Sequence, residues 1–339
     1  MGERTGLASF IAAHNEDASE NIVQDITQLV GWTPLIEIKS ITKADSVGAR
    51  IIAKLESYQP SNSVKDRSAL RMIEEAEEKG LIKPGVTTLL EPTSGNLGIA
   101  LAYIGLKKGY KFLGVMPSHY SIERRMLLKY LGADLALTDT NLGFKGVLDK
   151  VAELSASDPN FYVLNQFSNS ANPGAHYATT GPEIWKDTAG KVDIFVVGSG
   201  SGGTVSGAGK YLKEKNPNVK VVCVEPAESA VIAGGPPGPH GIQGFGPGFV
   251  PDNVDYSVID EFLSVTTQEA LACARRIAKE EGLLMGISSG ANLVACLRVG
   301  ARPENKGKMI VTTFSSGGER YMSTQLSDEV REECINMTF

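Results

Sequence analysis

Short β-branched runs alternate with amphipathic stretches along most of this chain, and that alternation narrows the possible folds more than any other feature. Arg50–Glu56 reads as a strand, and residues 66–79 read as an amphipathic helix stopped by Gly80. Thr87–Glu91 is the next strand, followed by a helix over residues 96–108. Phe112–Met116, Leu135–Thr138 and Tyr162–Gln166 continue the series, and Ile194–Val197, Val219–Glu225 and Met309–Phe314 extend it. Such an order predicts parallel sheets covered by helices on both faces. The strands are too many for one small sheet, so the fold class is α/β, with two three-layer lobes of twisted, mostly parallel sheet flanking a cleft. Residues 1–54 with 165–339 are assigned to a larger, discontinuous lobe. Residues 55–164 form a smaller one, with a mobile part near 106–150. The Gly/Pro-rich stretch Gly234–Pro251 breaks the pattern and is too long for a simple turn, which marks it as a functional loop.

Composition removes several function classes. A net charge of −6 favours neither a nucleic acid nor an acidic membrane surface as partner. The four cysteines are widely spaced without a CxxC pair and the four histidines form no HExxH, so no metal site is expected. That cysteine usage suits a reducing compartment. No apolar run reaches the roughly eighteen residues a membrane span needs. The N-terminal stretch carries Glu16, Asp17 and Glu20, unlike acid-poor transit peptides, so it reads as a frayed arm and the expected location is cytoplasmic.

Two segments carry chemistry. Lys65, just inside a helix in Ser61-Asn-Ser-Val-Lys-Asp-Arg67, is suited to hold an aldehyde cofactor through a Schiff base. Thr93-Ser94-Gly95-Asn96 offers hydroxyls, an amide and a helix start to an amino-acid carboxylate. Taken singly, Lys65 is a solvated first-turn lysine and Thr93–Asn96 a helix cap; together they point to pyridoxal-phosphate chemistry on an amino acid. Gly198-Ser-Gly-Ser-Gly-Gly-Thr204 follows an apolar strand and opens a helix, which makes an anion site. Gly200, Gly202 and Gly203 admit a phosphate, and Ser201 and Thr204 add hydroxyl donors. The same stretch satisfies GxGxxG through Gly198, Gly200 and Gly203, with Glu225 placed where a ribose-binding acid sits, so a dinucleotide enzyme is a competing reading. It leaves Lys65 and the Thr93 loop unexplained. His176 and His240 are read as structural.

Collinear stretches from residue 22 to 330 resemble the cysteine synthase (O-acetylserine sulfhydrylase) and β-cyanoalanine synthase family, in its plant-type branch. They are Asn62-Ser-Val-Lys-Asp-Arg67, Glu91-Pro-Thr-Ser-Gly-Asn96, Met116-Pro-Ser118, Ile122-Glu-Arg-Arg125, Thr179-Thr-Gly-Pro-Glu-Ile-Trp185, Gly200-Ser-Gly-Gly-Thr204, Val224-Glu-Pro226, Gly235–Gly248, Gly286-Ile-Ser-Ser-Gly290 and Gly318-Glu-Arg-Tyr321. The resemblance implies a fold-type-II, tryptophan synthase β-like enzyme with pyridoxal 5′-phosphate as cofactor. It implies that Lys65 carries the cofactor and acts as the catalytic base, that Asn96 bonds its ring hydroxyl and that Gly200, Ser201, Gly202, Gly203 and Thr204 hold its phosphate. It places Ser288 against the pyridine nitrogen, and Thr93, Ser94, Asn96 and Gln166, with Leu97 as a wall, around the substrate. A homodimer and capture of the serine acetyltransferase C-terminal tail are family expectations too.

The chain departs from the family pattern at Leu97, Val197 and Ser201, a direction similar to β-cyanoalanine synthases. Leu97 takes a hydroxyl from the substrate loop, worth on the order of 1 kcal/mol. Tyr58, Gln59 and Ser61 also differ from the family near Lys65, as do Ser199 and Ser315-Ser316-Gly317. The expectation is therefore β-replacement giving L-3-cyanoalanine from L-cysteine and cyanide, with cysteine synthase side activity. The alternatives are cysteine synthesis from O-acetyl-L-serine and sulfide, an L-cysteine desulfhydrase, and a non-catalytic partner of serine acetyltransferase.

Overall fold

The computed structural model of the chain describes residues 22–93, 95–118 and 122–338. The expected N-terminal arm and Ser94 lie outside these residues. Among the described residues ten strands follow in chain order: β1 (Leu35–Ile38), β2 (Arg50–Leu55), β3 (Thr88–Pro92), β4 (Lys111–Pro117), β5 (Asp134–Thr138), β6 (Phe161–Val163), β7 (Ile194–Gly198), β8 (Lys220–Pro226), β9 (Glu261–Val265) and β10 (Met309–Phe314). They form a six-stranded sheet, ordered β1-β2-β10-β7-β8-β9, and a four-stranded sheet, ordered β5-β4-β3-β6. All pairings are parallel except β1 with β2.

The parallel character follows from the side chains. Every residue of β10 is buried, as are Ile194–Val197 of β7 and Val221–Pro226 of β8. Such strands need cover on both faces, and their alternate residues enter separate cores. Val196, Val224 and Ile310 pack on one side of the sheet, while Phe195, Val197, Val221 and Val311 pack on the other. The edge strands β1 and β9 are half-buried and contain Glu37 and Glu261, so neither shows the continuous apolar run that marks the inner strands.

One predicted strand is shorter than expected. Tyr162–Gln166 pairs only as far as Val163, because the buried Glu91 carboxylate at the end of β3 accepts the N–H groups of Asn165 and Gln166 at 2.7 and 3.0 Å. Asn165 then turns the chain away with φ +54°. The helix expected after β2 spans Lys65–Glu78 and stops at Gly80, φ +66°. Cys223, Cys273 and Cys296 are buried free thiols, and Cys334 is an exposed one. Burial pushes the Cys273 thiol up to about 12 and raises the Cys223 and Cys296 thiols in the same direction. No helix among the described residues is long and apolar enough to cross a membrane.

A buried ion cluster joins the helix that begins at Lys65 to the six-stranded sheet. Arg67 donates to Glu56 at 2.8 and 3.0 Å and to Glu183 at 2.6 and 2.7 Å, while Lys54 reaches Glu183 at 2.7 Å. Two carboxylates thus balance one guanidinium and one ammonium. The spare lone pairs are met as well: Thr33 and Gln59 donate to Glu56 at 2.7 and 2.9 Å. Burial alone raises a carboxyl, yet the charges of Arg67 and Lys54 prevail and hold Glu56 down at about 2. Arg67→Met removes one charge: Glu56 loses its bonded cation, and Glu183 is left with Lys54 alone. Breaking such a cluster costs about 3–5 kcal/mol. We expect a corresponding fall in stability in guanidinium unfolding, whereas a loss below about 1 kcal/mol means the cluster contributes no more than a surface pair.

Candidate active site

In open parallel sheets the backbone leaves its carboxyl ends in loops that share one crevice. Here the segments following β3, β6, β7 and β10 all reach a single cleft between the two sheets, with a volume of about 590 Å³. Lys65, Thr93, Asn96, Leu97, Gln166, Gly200, Ser201, Gly202, Gly203, Thr204 and Ser288 all line it. The structure thus brings together every described residue that the sequence singled out for the site. His240 to Pro247 of the Gly/Pro-rich loop form part of its wall, in line with the functional loop read from the sequence.

Lys65 is the first residue of its helix. The preceding Val64 N–H is tied to the Ser315 carbonyl at 2.9 Å, so the approach to Lys65 is fixed from the end of β10. Among the described residues no carboxylate lies within ion-pair distance of its amine. Burial therefore lowers Lys65 to about 8 against the opposing pull of Glu56. An amine in that range is far more nucleophilic at neutral pH than a solvated lysine.

The glycine turn after β7 is shaped by close backbone approach. Gly202 has φ +80° and caps the helix Gly203–Lys215 without a side-chain bond. A Cβ at Gly200 meets the Gly244 carbonyl oxygen at 2.2 Å, and one at Gly203 meets Asn172 Oδ1 at 2.1 Å. Among the described residues the N–H groups of residues 200–204 meet no backbone carbonyl. That leaves a row of donors at a helix start, the arrangement that holds a phosphate. Two hydroxyls stand beside it. Ser201 Oγ accepts from Asn172 Nδ2 at 2.8 Å, so its own proton is free to be donated. Thr204 Oγ1 lies 3.2 Å from His176 Nε2. Burial, with Arg67 and Lys65 nearby, pushes His176 down to about 3, so its ring is a neutral partner for Thr204 rather than an acid–base group. Asn172 was missed by sequence reasoning, since its role exists only in the tertiary fold.

Thr93 is buried beside the start of the helix Asn96–Lys108. Gln166 lies across the cleft, held through its backbone by Glu91, Asn172 and Asn253. Burial raises Glu91 to about 7 against the bonds it accepts from the Gln166 and Asn165 N–H groups. Leu97 is only 2% exposed and belongs to the apolar core of the four-stranded sheet, although it borders the cleft. Ser288 occupies the first turn of the helix Ile287–Gly300. No Asp or Glu lines the cleft among the described residues. Arg124, which donates to Gln243 Oε1, also lines it, as do Phe144 and Phe167, whose rings pack with that of Phe249 at centroid separations of 5.0–6.0 Å.

The dinucleotide reading is overturned here. Glu225 is buried and its carboxylate accepts the N–H groups of Ile232 and Ala233, both at 2.8 Å, so it serves its own loop. The Phe245 ring also presses onto Gly198, where a Cβ lies 1.6 Å from the ring.

A nucleophilic amine, a glycine cradle and no carboxylate in the cleft define an enzyme built around an aldehyde-bearing phosphate cofactor. The chain belongs to the pyridoxal-phosphate dependent enzyme family, whose profile matches residues 26–316. Within it, this is a β-substituting enzyme of the cysteine synthase family, and its cofactor is pyridoxal 5′-phosphate. It is 53% identical to cysteine synthase 3 of Caenorhabditis elegans over 94% of each chain. It is 48% identical to cysteine synthase A of Escherichia coli (strain K12) over 90% of this chain and 95% of the relative. Its structure superposes on O-acetyl serine sulfhydrylase isoform 3 from Entamoeba histolytica with a TM-score of 0.88, at 44% identity over 92% of this chain and 93% of that one.

Gly200→Ala drives a methyl group into the Gly244 backbone. Forcing such a shift costs about 1–3 kcal/mol. Cofactor affinity, measured by the change in visible absorbance on titration, is expected to fall by roughly tenfold or more, with the unfolding midpoint of the apoprotein lowered by no more than the shift itself costs. Undiminished affinity means that the turn does not hold the phosphate.

Proposed function

We propose that this enzyme makes L-cysteine and acetate from O-acetyl-L-serine and sulfide. The observation that carries the reading is the convergence on one cleft of the Lys65 amine, two helix starts and the Ser288 hydroxyl. The named cysteine synthases among its relatives support it. The cyanide reading, drawn from Leu97, Val197 and Ser201 together, fits less well at Leu97. That side chain is spent on the core of the four-stranded sheet. Family resemblance extends the reading to a homodimer and to capture of the serine acetyltransferase tail in the same cleft.

The residues present fit the cofactor: a cradle that a Cβ at Gly200 or Gly203 fills, free N–H groups, and an unpaired amine. When bound, pyridoxal 5′-phosphate supplies an aldehyde for an amine and a conjugated ring that takes up the electrons left when Cα loses its proton. Gly200–Thr204 would hold its phosphate, Asn96 its ring oxygen and Lys65 its aldehyde carbon. Thr93, Ser94, Asn96 and Gln166 receive the substrate α-carboxylate, and Leu97 provides an apolar wall. The Lys65 amine would take the substrate α-proton. Ser288 would meet the ring nitrogen with a hydroxyl rather than a carboxylate. A hydroxyl at that position would suit replacement at the substrate Cβ, with acetate leaving and sulfide taking its place, over transamination. The small lobe near residues 106–150 closes over the cleft and keeps water out.

A paired steady-state assay decides the nucleophile. We expect kcat/KM for O-acetylserine with sulfide to exceed that for cysteine with cyanide by more than about tenfold, or roughly 1.4 kcal/mol of transition-state preference. The reverse ratio establishes a cyanoalanine synthase and makes Val197 and Ser201 its determinants.

Covalent uptake of the cofactor by apoprotein requires the neutral amine. Because the Lys65 amine is lowered to about 8, the uptake rate should climb as pH rises toward 8 and level off above it. Stopped-flow absorbance between pH 6 and 10 reads this, and Lys65→Ala should abolish the phase. A midpoint near the ordinary lysine value, about 10.4, rejects the assignment.

A further inference from the structure

Gly318-Glu-Arg-Tyr321 follows β10 and has no part in the chemistry described above. Its arginine nonetheless reaches the cleft wall. Arg320 Nη1 donates to Asn96 Oδ1 at 2.6 Å, and Arg320 Nη2 donates to the Ser61 carbonyl at 2.6 Å. A guanidinium has donors only. Asn96 must therefore turn its oxygen toward Arg320 and its NH2 away from it. That NH2 has one long protein contact, 3.4 Å to the Tyr321 hydroxyl, which itself lies 3.0 Å from Ser316 Oγ. Asn96 and Tyr321 both line the cleft.

We propose that Arg320 is a positioning residue that locks the Asn96 side chain as a hydrogen-bond donor toward the cleft. The inference rests on the reading that Asn96 meets the cofactor's ring oxygen, and it adds the reason that Asn96 meets it with a donor. A free asparagine presents its carbonyl or its NH2 with nearly equal ease. Only the NH2 stabilises an ionised ring oxygen; the carbonyl repels it. Arg320 removes that choice. Its second bond, to the Ser61 carbonyl, also matters. Ser61 donates through its N–H to Asp66, beside Lys65, at 2.7 Å. Arg320 thus spans from the substrate loop to the segment that delivers the amine. A merely structural clamp would affect stability, whereas a donor lock also affects the electronic state of the bound cofactor.

The test uses holoenzyme and follows absorbance between pH 6 and 10. The readout is the ratio of the visible band, with the ring oxygen ionised, to the near-ultraviolet band, with it neutral. Arg320→Met should lower the ratio by about fivefold, the worth of one ordinary hydrogen bond. Arg320→Lys, which keeps a donor beside Asn96, should retain most of it. Asn96→Asp pairs with Arg320 and preserves folding, yet offers the ring oxygen an acceptor, so it too should lower the ratio. If Asn96→Ala leaves the ratio unchanged, the reading of Asn96 itself fails. If Asn96→Ala lowers it while Arg320→Met does not, Arg320 has no positioning role. The double variant Asn96→Ala/Arg320→Met should fall no further than Asn96→Ala alone; additive losses overturn the proposal. An unchanged ratio in Asn96→Asp overturns the donor orientation even if Arg320→Met proves too unstable to study.

Discussion

The buried exchange of charge among Lys54, Glu56, Arg67 and Glu183 is the constraint on which the geometry of the cleft depends. Arg67 lies two residues after Lys65, so whatever fixes its guanidinium also fixes the helix turn that carries the amine. Each partner comes from a different part of the fold: Lys54 from β2, Glu56 from the turn after it, and Glu183 from the helix Gly181–Asp187. Ions taken out of water need nearly complete compensation, and here the bidentate contacts and the Thr33 and Gln59 donors provide it. Such a cluster tolerates little displacement. It holds one end of the amine's helix against the large sheet while the remaining helix packs with the small one.

Around that fixed point, the cleft is assembled mostly from backbone. The glycine turn after β7 approaches Gly244 and Asn172 so closely that no side chain fits, and it leaves its N–H groups open to the cleft. The side chains that do enter are mostly uncharged: Thr93, Asn96, Gln166, Ser201, Thr204, Ser288. The positive electrostatics needed by two anionic groups, a phosphate and a carboxylate, thus come from helix starts and amides. Burial leaves Lys65 as a reactive amine rather than a permanent cation.

The inner strands of the large sheet were legible because Ile194–Val197 and Met309–Phe314 are buried on both faces and their sequence shows it. Edge strands β1 and β9 were not read, since a half-buried strand carrying Glu37 or Glu261 looks like many loops. Tyr162–Gln166 read as a full strand because nothing local reveals that Glu91, more than seventy positions earlier, takes its last N–H groups. Glu225 invited a dinucleotide reading for the same reason, as its real partners lie in the loop that follows it. Leu97 looked like a change in substrate chemistry, yet its side chain is mainly a core residue. Motifs located Lys65, the glycine turn and Ser288. The residues that orient other residues, Asn172 and Arg320, emerge only once distant segments meet.

The distribution of sulfur has a practical consequence for an enzyme of the cysteine synthase family. Cys223, Cys273 and Cys296 keep their protons in apolar surroundings and are shielded from solvent, so they are poor partners for thiol–disulfide exchange with substrate or product. Cys334 stands apart on the terminal helix Asp328–Ile335, none of whose residues is buried. A maleimide dye should therefore attach at one position and leave the cleft untouched, giving the native sequence a ready-made reporter handle.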